Sequence, residues 1–328
     1  MIQRILQSRS KRDDFDSFEV QRCRSVRCAA PSERMAALNL MFDHPVGEAQ
    51  TRLQKWATAL MKRNRDAFDG LLVSGPQQAP HATIWLFPLP GRQINVWSPK
   101  FSEELDAVDR FDFLRQVSSW LDTLPADMSW ATIPVQETSI ISDVQVMGLV
   151  DVTDLARMVW KCCTPQTSEP SEPLTYVAYS HEKHQHRLAR ILKLTEVGSL
   201  DCVGLNGLRE PEDLLMGHWM RDSLRPSDWS LITYQGEDVG CLLMSRHTSR
   251  SEYEVVYVSV LPEMRGRGFG RQVIEQAQQI GFRAGVKEIV LTCDIQNLPA
   301  WKLYESCAFR ATGRWKLLAR SINHSESA

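Results

Sequence analysis

Residues 265–271 read R-G-R-G-F-G-R and contain three glycines and three arginines. This run restricts the possible folds of the chain more than any other segment. It follows the alternating apolar stretch Glu254–Val260, which predicts a strand, and it leads into apolar residues at helical spacing from about Gly270. Glycines let a backbone approach a ligand closely, and the first amides of a helix point free N–H groups at an anion. Because the net charge is only −2, the arginines supply positive charge locally. The segment predicts a pyrophosphate site.

A second motif follows the next predicted strand, Glu288–Thr292. Residues 265–270 read R-x-x-G-x-G and residues 297–304 read N-x-x-A-x-x-L-Y. In this order and spacing the two motifs resemble the signature of the GNAT N-acetyltransferases, and the resemblance covers roughly residues 175–320. One departure is Cys307-Ala308-Phe309, where the family usually has Gly-Phe. A Rossmann loop is disfavoured, because its G-x-G-x-x-G spacing is absent.

The resemblance implies acetyl-coenzyme A as cosubstrate and a direct attack of a primary amine on its thioester. Backbone groups of Val258 and Val260 would bind the thioester oxygen and the pantetheine arm, the amides of the glycine loop would hold the pyrophosphate, and Asn297 and Ala300 would line the pantetheine channel. The implied cofactor-binding residues are Val258, Val260, Arg265, Gly266, Arg267, Gly268, Phe269, Gly270, Arg271, Asn297, Ala300 and Tyr304.

Two residues are the predicted catalytic groups. By resemblance Tyr304 is the general acid that protonates the departing thiolate. Glu254, eleven residues before Arg265, takes the position of the base in one branch of the family, and simple alternation places it on the same face as Val256, Val258 and Val260. A packed tyrosine and a solvated carboxylate are the structural alternatives. The hairpin carboxylates Glu237 and Asp238 are the next candidates for the base.

Proline and polar residues at 164–174 predict a linker between two domains, residues 35–163 and 175–328. The first contains apolar segments at Leu71–Val73, Thr83–Phe87, Gln93–Trp97 and Trp130–Val135 and a helical pattern over Phe111–Leu124; both halves then read strand, strand, strand, helix, strand. We therefore expect an α/β (α+β) chain of two tandem GNAT-like domains, each a mixed, mostly antiparallel twisted sheet flanked by helices. Since no glycine loop follows Trp97, the N-terminal copy is predicted to be degenerate.

The basic segment 1–34 lacks the apolar centre of a secretory signal and predicts a disordered tail, with Met35 as an alternative translation start. The eight cysteines include no C-x-x-C, which favours reduced thiols in a cytoplasmic protein. No apolar run is long enough to span a membrane, and no global basic excess suggests nucleic acid.

Two other groups of reactive side chains have structural interpretations. His181, His184 and His186 lack a further ligand nearby, so we expect a helix surface and no metal site. Asp201-Cys202 is interpreted as a small buried thiol rather than a nucleophile. The predicted function is N-acetyl transfer from acetyl-coenzyme A to a primary amine; the alternative is a non-catalytic coenzyme A-binding sensor or structural module.

Overall fold

The computed structural model describes residues 26–42, 54–55, 57–60, 65–165, 170, 172–208, 210–219, 228–247 and 250–322. The strands are β1 Arg27–Cys28, β2 Leu71–Ser74, β3 Ala82–Leu89, β4 Gln93–Val96, β5 Lys100–Phe101, β6 Met128–Pro134, β7 Val150–Lys161, β8 Thr175–Ala178, β9 Trp229–Tyr234, β10 Glu237–His247, β11 Glu252–Val260, β12 Glu288–Asp294 and β13 Arg310–Ser321. The helices are α1 Arg34–Phe42, α2 Ala107–Leu121, α3 Thr138–Val146, α4 His181–Glu196, α5 Pro211–Trp219, α6 Phe269–Arg283 and α7 Leu298–Ser306.

The described residues form two compact units, one from within residues 1–151 and 318–328 and the other from within residues 152–317. Strand β7 therefore begins in the first unit and continues in the second, whereas β13 begins in the second unit and ends in the first. The domain boundaries predicted from the linker instead place all of β7 in the N-terminal domain and all of β13 in the C-terminal domain. At the end of β13, Arg320 Nη1 donates to Ser118 Oγ and to the Met147 carbonyl, each at 2.9 Å, which attaches the C-terminal segment to the first unit.

In the first unit β1, β2, β3 and β4 are antiparallel neighbours, and β6 is parallel to β4. Helix α2 lies between β4 and β6 in sequence and buries Leu114 and Val117 in the core. It begins earlier than the apolar pattern predicts, because the side chain of Asp106 caps it by accepting from the Asp109 amide at 2.8 Å. Phe111, expected on the buried face, is instead 51% exposed.

In the second unit β8, β9, β10 and β11 are antiparallel neighbours, β12 is parallel to β11, and β7 is antiparallel to β12. Neighbouring residues of one strand pack in different clusters: Leu242 with Val273 and Ile274 of α6, and Cys241 with Leu188 of α4. Since successive side chains in a strand alternate, α6 and α4 cover opposite faces of this sheet.

The same order of elements occurs in each unit, apart from the short strand β5 that lies between β4 and α2 in the first. In β2-β3-β4-α2-β6 and in β9-β10-β11-α6-β12, three antiparallel strands precede a helix and a strand that is parallel to the third. This confirms the predicted order in both halves and the mixed, mostly antiparallel fold class. No helix in the described ranges combines the length and hydrophobicity needed to cross a membrane.

The expected disordered tail is wrong for its last residues. Arg27 and Cys28 pair with β2, and Val26 and Ala29 are buried. The buried carboxylate of Glu33 accepts from Arg27 Nη2 at 2.7 Å, which neutralises a cation that the sequence pattern assigned to a solvated arm. Residues 1–25 lie outside the described residues, as do 166–169 and 171 of the predicted linker.

Candidate active site

The two parallel strands of the second unit separate after four paired positions. Glu252–Val255 of β11 pair with Glu288–Leu291 of β12, and no pairing between them continues in the rest of these two described strands. The register of β10 against β11 shifts between Leu243 and Met244, which leaves Val256 as an extra residue. Such a β-bulge bends a strand away from its neighbour. A gap therefore opens between the end of β11 and the end of β12.

Backbone groups from both strands point into this gap. The Leu261 amide donates to the Val239 carbonyl at 2.8 Å, on the β10 side. Because backbone N–H groups alternate between the two sides of a strand, those of Val258 and Val260 face the gap. On β12 the Ile295 amide donates to the Asp154 carbonyl of β7 at 3.0 Å, so the Asp294 amide faces the gap from the other side.

The bulge also changes which side chains share a face. Val255 and Val258 pack on the α6 side of the sheet, whereas Val256 and Tyr257 pack on the α4 side. Glu254 therefore shares a face with Val256 but not with Val258, and the simple alternation expected from the sequence is wrong. The Glu254 carboxylate lies 2.9 Å from His247 Nε2.

Helix α6 begins with a row of amides that have no acceptor. Gly266 and Gly268 both have φ of +79°, a left-handed conformation that favours glycine, and a Cβ at either position would meet no atom within 4 Å. Within the described structure, no amide from residue 266 to residue 270 donates a hydrogen bond. Consecutive free amides at a helix N-terminus form a concave anion site.

Gly270 has a different requirement from the other two glycines. A Cβ there would lie 3.0 Å from Leu303 Cδ2, so the missing side chain allows α6 to pack closely against α7. Phe269 is buried beneath the loop, 1% exposed. The glycines of one motif thus serve both anion binding and helix packing.

The arginines of the loop have distinct partners. Arg265 donates to the carbonyls of Val260, Gly198 and Thr195 at 3.1, 3.0 and 3.0 Å, so its guanidinium group binds backbone at the C-terminus of α4. Arg271 Nη2 donates to Ser306 Oγ at 2.8 Å. The guanidinium group of Arg265 is therefore occupied by structural hydrogen bonds to backbone.

Arg267 bonds to the residues that precede β8. Its Nη2 lies 2.7 Å from Glu172 Oε1, and its guanidinium carbon lies 4.7 Å from the centre of the Tyr234 ring. Hydrogen bonds from Arg267 and from the Tyr234 hydroxyl lower the pKa of Glu172. The Gln272 side chain donates to the Glu172 carbonyl at 3.0 Å. The described end of the predicted linker is thus attached to the start of α6.

Helix α7 positions the second motif. Asn297 caps it, with Oδ1 accepting from the Ala300 amide at 3.3 Å. Tyr304 is only 8% exposed, and burial raises the pKa of its phenol, with smaller contributions from Cys293 and Asp201. A phenol in this environment stays protonated at neutral pH, as a proton donor must.

Asp294, at the end of β12, is the buried centre of a polar network that the sequence motifs do not reveal. It is 2% exposed, and its carboxylate accepts from Thr153 Oγ1 at 2.6 Å, from the Cys202 amide at 2.9 Å and from the Gln296 amide at 2.8 Å. The only signal in the sequence is an aspartate directly after an apolar strand. Its network fixes residues 201 and 202 against the end of β12.

The two structural interpretations from the sequence can be compared with the contacts. Burial raises the pKa of the Cys202 thiol, which agrees with an inert thiol rather than a nucleophile. His181 Nδ1 lies 3.1 Å from the Tyr179 hydroxyl, and His184 Nδ1 accepts from the Ser180 amide at 3.0 Å. These two histidines bond locally at the start of α4.

Comparison with known proteins agrees with this geometry. Residues 200–309 match the model of the Acetyltransferase (GNAT) family. A GCN5-related N-acetyltransferase structure from Sphaerobacter thermophilus superposes with a TM-score of 0.59 at 17% identity, covering 91% of this chain and 95% of that one. A GCN5-related N-acetyltransferase structure from Anabaena variabilis gives 0.52 at 10% identity, covering 91% and 73%. The chain therefore has a GNAT-type fold, and the segment that matches the GNAT family model lies within the second unit.

Proposed function

We propose that the protein transfers an acetyl group from acetyl-coenzyme A to a primary amine. The observation that carries this proposal is the row of free amides at residues 266–270, which lies at the start of α6, just after the strand that borders the gap. Bound acetyl-coenzyme A supplies the thioester. The amides of the loop bind the pyrophosphate oxygens, and Arg267 and Arg271 add positive charge at the edges of the loop.

The groups that face the gap have complementary tasks. The amides of Val258 and Val260 donate to the carbonyl oxygens of the acetyl group and the pantetheine arm, which stabilises the charge that develops during attack. Tyr304 gives its proton to the thiolate. Asn297 and Ala300 line the channel at the start of α7. The first unit, which is predicted to be degenerate, has a structural role. The cytoplasmic location of the protein stays a prediction.

Calorimetry and an assay of thiol release test this proposal. We expect acetyl-coenzyme A to bind the purified chain and Gly268→Trp to lose that binding while it remains folded. Thiol is then assayed with spermidine, a lysine-containing peptide and an aminoglycoside as acceptors. Release that depends on one of these amines supports the enzyme. Tight binding without release to any amine supports the coenzyme A-binding sensor instead.

A further inference from the structure

Asp201 belongs to the connection between α4 and α5, and in the fold it lies next to Asp294, the last residue of β12. One carboxylate oxygen of Asp201, one of Asp294 and the sulfur of Cys202 lie within 4.8 Å of one another. The backbone N–H of Asp294 and the side chain of Asn297 both donate toward the Asp201 carboxyl group. Because the Asp294 amide faces the gap between β11 and β12, the Asp201 carboxyl group occupies the hydrogen-bonding edge that β11 leaves free.

The surroundings of Asp201 connect it to the elements on both sides of the gap. Its negative charge contributes to raising the pKa of Tyr257 on β11 and that of Tyr304 on α7. Residue 201 as a whole is exposed to solvent, whereas its carboxyl group is largely buried beside Asp294.

We infer that Asp201 is the general base that receives the proton of the acceptor amine; this inference rests on the proposed N-acetyltransferase function. An ammonium ion gives one proton to the Asp201 carboxylate and becomes a neutral amine. The nitrogen lone pair then forms a bond to the thioester carbon, the C–S bond breaks, and the sulfur takes a proton from Tyr304. The second proton of the attacking nitrogen leaves to solvent as the amide forms, solvent reprotonates Tyr304, and Asp201 releases its proton to solvent, which restores its carboxylate.

Asp201 fits this role better than Glu254, the base predicted from the sequence. Glu254 lies before the bulge, among the residues that still pair with β12, and its carboxylate contacts His247. Asp201 lies beyond the last paired residue, beside the Asn297 side chain. Glu196, at the end of α4, adds negative charge near Tyr257. The acceptor side of the gap is therefore suited to a cation.

The ionisation of Asp201 agrees with this placement. Burial of its carboxyl group, followed by the negative charge of Asp294, raises its pKa, and the two N–H donors offset part of the increase. The titratable groups around it are Asp294 and Cys293 of β12, Cys202 beside it, Tyr304 and Tyr257. A base with a raised pKa binds a proton more readily near neutral pH.

The experiment compares Asp201→Asn with wild type, Glu254→Gln and Glu182→Gln, the last an exposed carboxylate in the first turn of α4. Acetyl-coenzyme A affinity is measured by calorimetry. Turnover is measured with the amine of the panel that gives the fastest thiol release. Binding of that amine to the protein loaded with coenzyme A, which cannot react, is measured separately. We expect Asp201→Asn to keep its affinity for acetyl-coenzyme A, to bind the amine more weakly and to lose about 10²–10⁴-fold in turnover.

A measurement of stability against pH separates this role from a purely structural one. A carboxyl group with a raised pKa in the folded state favours folding least when it is charged, so wild-type stability falls as the pH rises from the unfolded pKa through the folded pKa. We expect Asp201→Asn to gain stability relative to wild type as the pH rises from 4 to 8. If Asp201→Asn instead loses stability throughout this range and its turnover falls only in proportion to the unfolded fraction, the role of Asp201 as the base is overturned.

The outcomes distinguish this inference from the proposed function. Active wild type with Asp201→Asn within threefold of its turnover overturns the role of Asp201 alone. The same holds if Glu254→Gln, rather than Asp201→Asn, removes the acid limb of kcat/KM against pH. A wild type that binds acetyl-coenzyme A but uses no amine of the panel overturns the proposed function, and the role of Asp201 with it.

Discussion

The Nη2 atom of Arg265 lies 3.0 Å from the carbonyl oxygen of Thr195, in the last turn of α4. Carbonyls at the end of a helix lack partners within that helix, and they form the negative end of its dipole. Arg265 satisfies two carbonyls there, because its Nη1 also donates to Gly198 at 3.0 Å. One side chain therefore joins the glycine loop to the connection that contains Asp201.

Replacing Arg265 with lysine tests this structural role. A lysine ammonium group cannot reproduce the planar fork that reaches several carbonyls at once. We expect Arg265→Lys to lower the free energy of unfolding by about 1–2 kcal/mol, roughly the net contribution of one or two hydrogen bonds. Urea unfolding measures this change. Arg283→Lys, at the exposed end of α6 where the side chain bonds to Gln279, is the control and should change stability by less than about 0.5 kcal/mol. Equal effects of the two variants would contradict the role of Arg265.

The left-handed glycines allow a matched test of the anion site. Gly268 and Gly285 have φ of +79° and +67°, and a Cβ at either would meet nothing within 4 Å. Each change to alanine should therefore cost about 1–2 kcal/mol of stability from backbone strain alone. Only Gly268→Ala should also weaken binding of acetyl-coenzyme A, because Gly268 lies within the row of free amides proposed to bind the phosphates and Gly285 does not. Calorimetry that finds the same affinity in both variants would argue against the loop.

The positions of individual side chains were harder to predict than the fold. Strands such as Gln93–Val96 and Glu252–Val260 follow local hydrophobic patterns, so the sequence predicts them within a few residues. The bulge at Val256 depends on the pairing of β11 with β10, which no local pattern contains. Asp201 and Asp294 are 93 positions apart, counted from their numbers, and only the fold brings them together.

The first unit should not bind a second cofactor. The chain between β4 and α2, residues 97–106, contains no glycine, and the N-terminus of α2 is capped by the carboxylate of Asp106. A negative side chain at that position occupies a helix amide and repels a phosphate. Calorimetry is therefore expected to give one acetyl-coenzyme A per chain. A measured stoichiometry of two would show that the first unit has an anion site that is built without a glycine loop.

Tyr304 lies among the predicted cofactor-binding residues, but its hydroxyl is predicted to act mainly on the leaving group. Its phenol is buried, which raises its pKa and keeps it protonated, while its ring packs 6.2 Å from the centre of the Phe309 ring. Tyr304→Phe retains this packing and removes only the hydroxyl. We expect acetyl-coenzyme A affinity to change by less than about threefold and turnover to fall by about 10²-fold or more, because the proton is needed only as the C–S bond breaks. A thioester with a more acidic thiol needs less protonation and should therefore lose less turnover in this variant. If Tyr304→Phe slowed both thioesters equally, its hydroxyl would not be the proton donor.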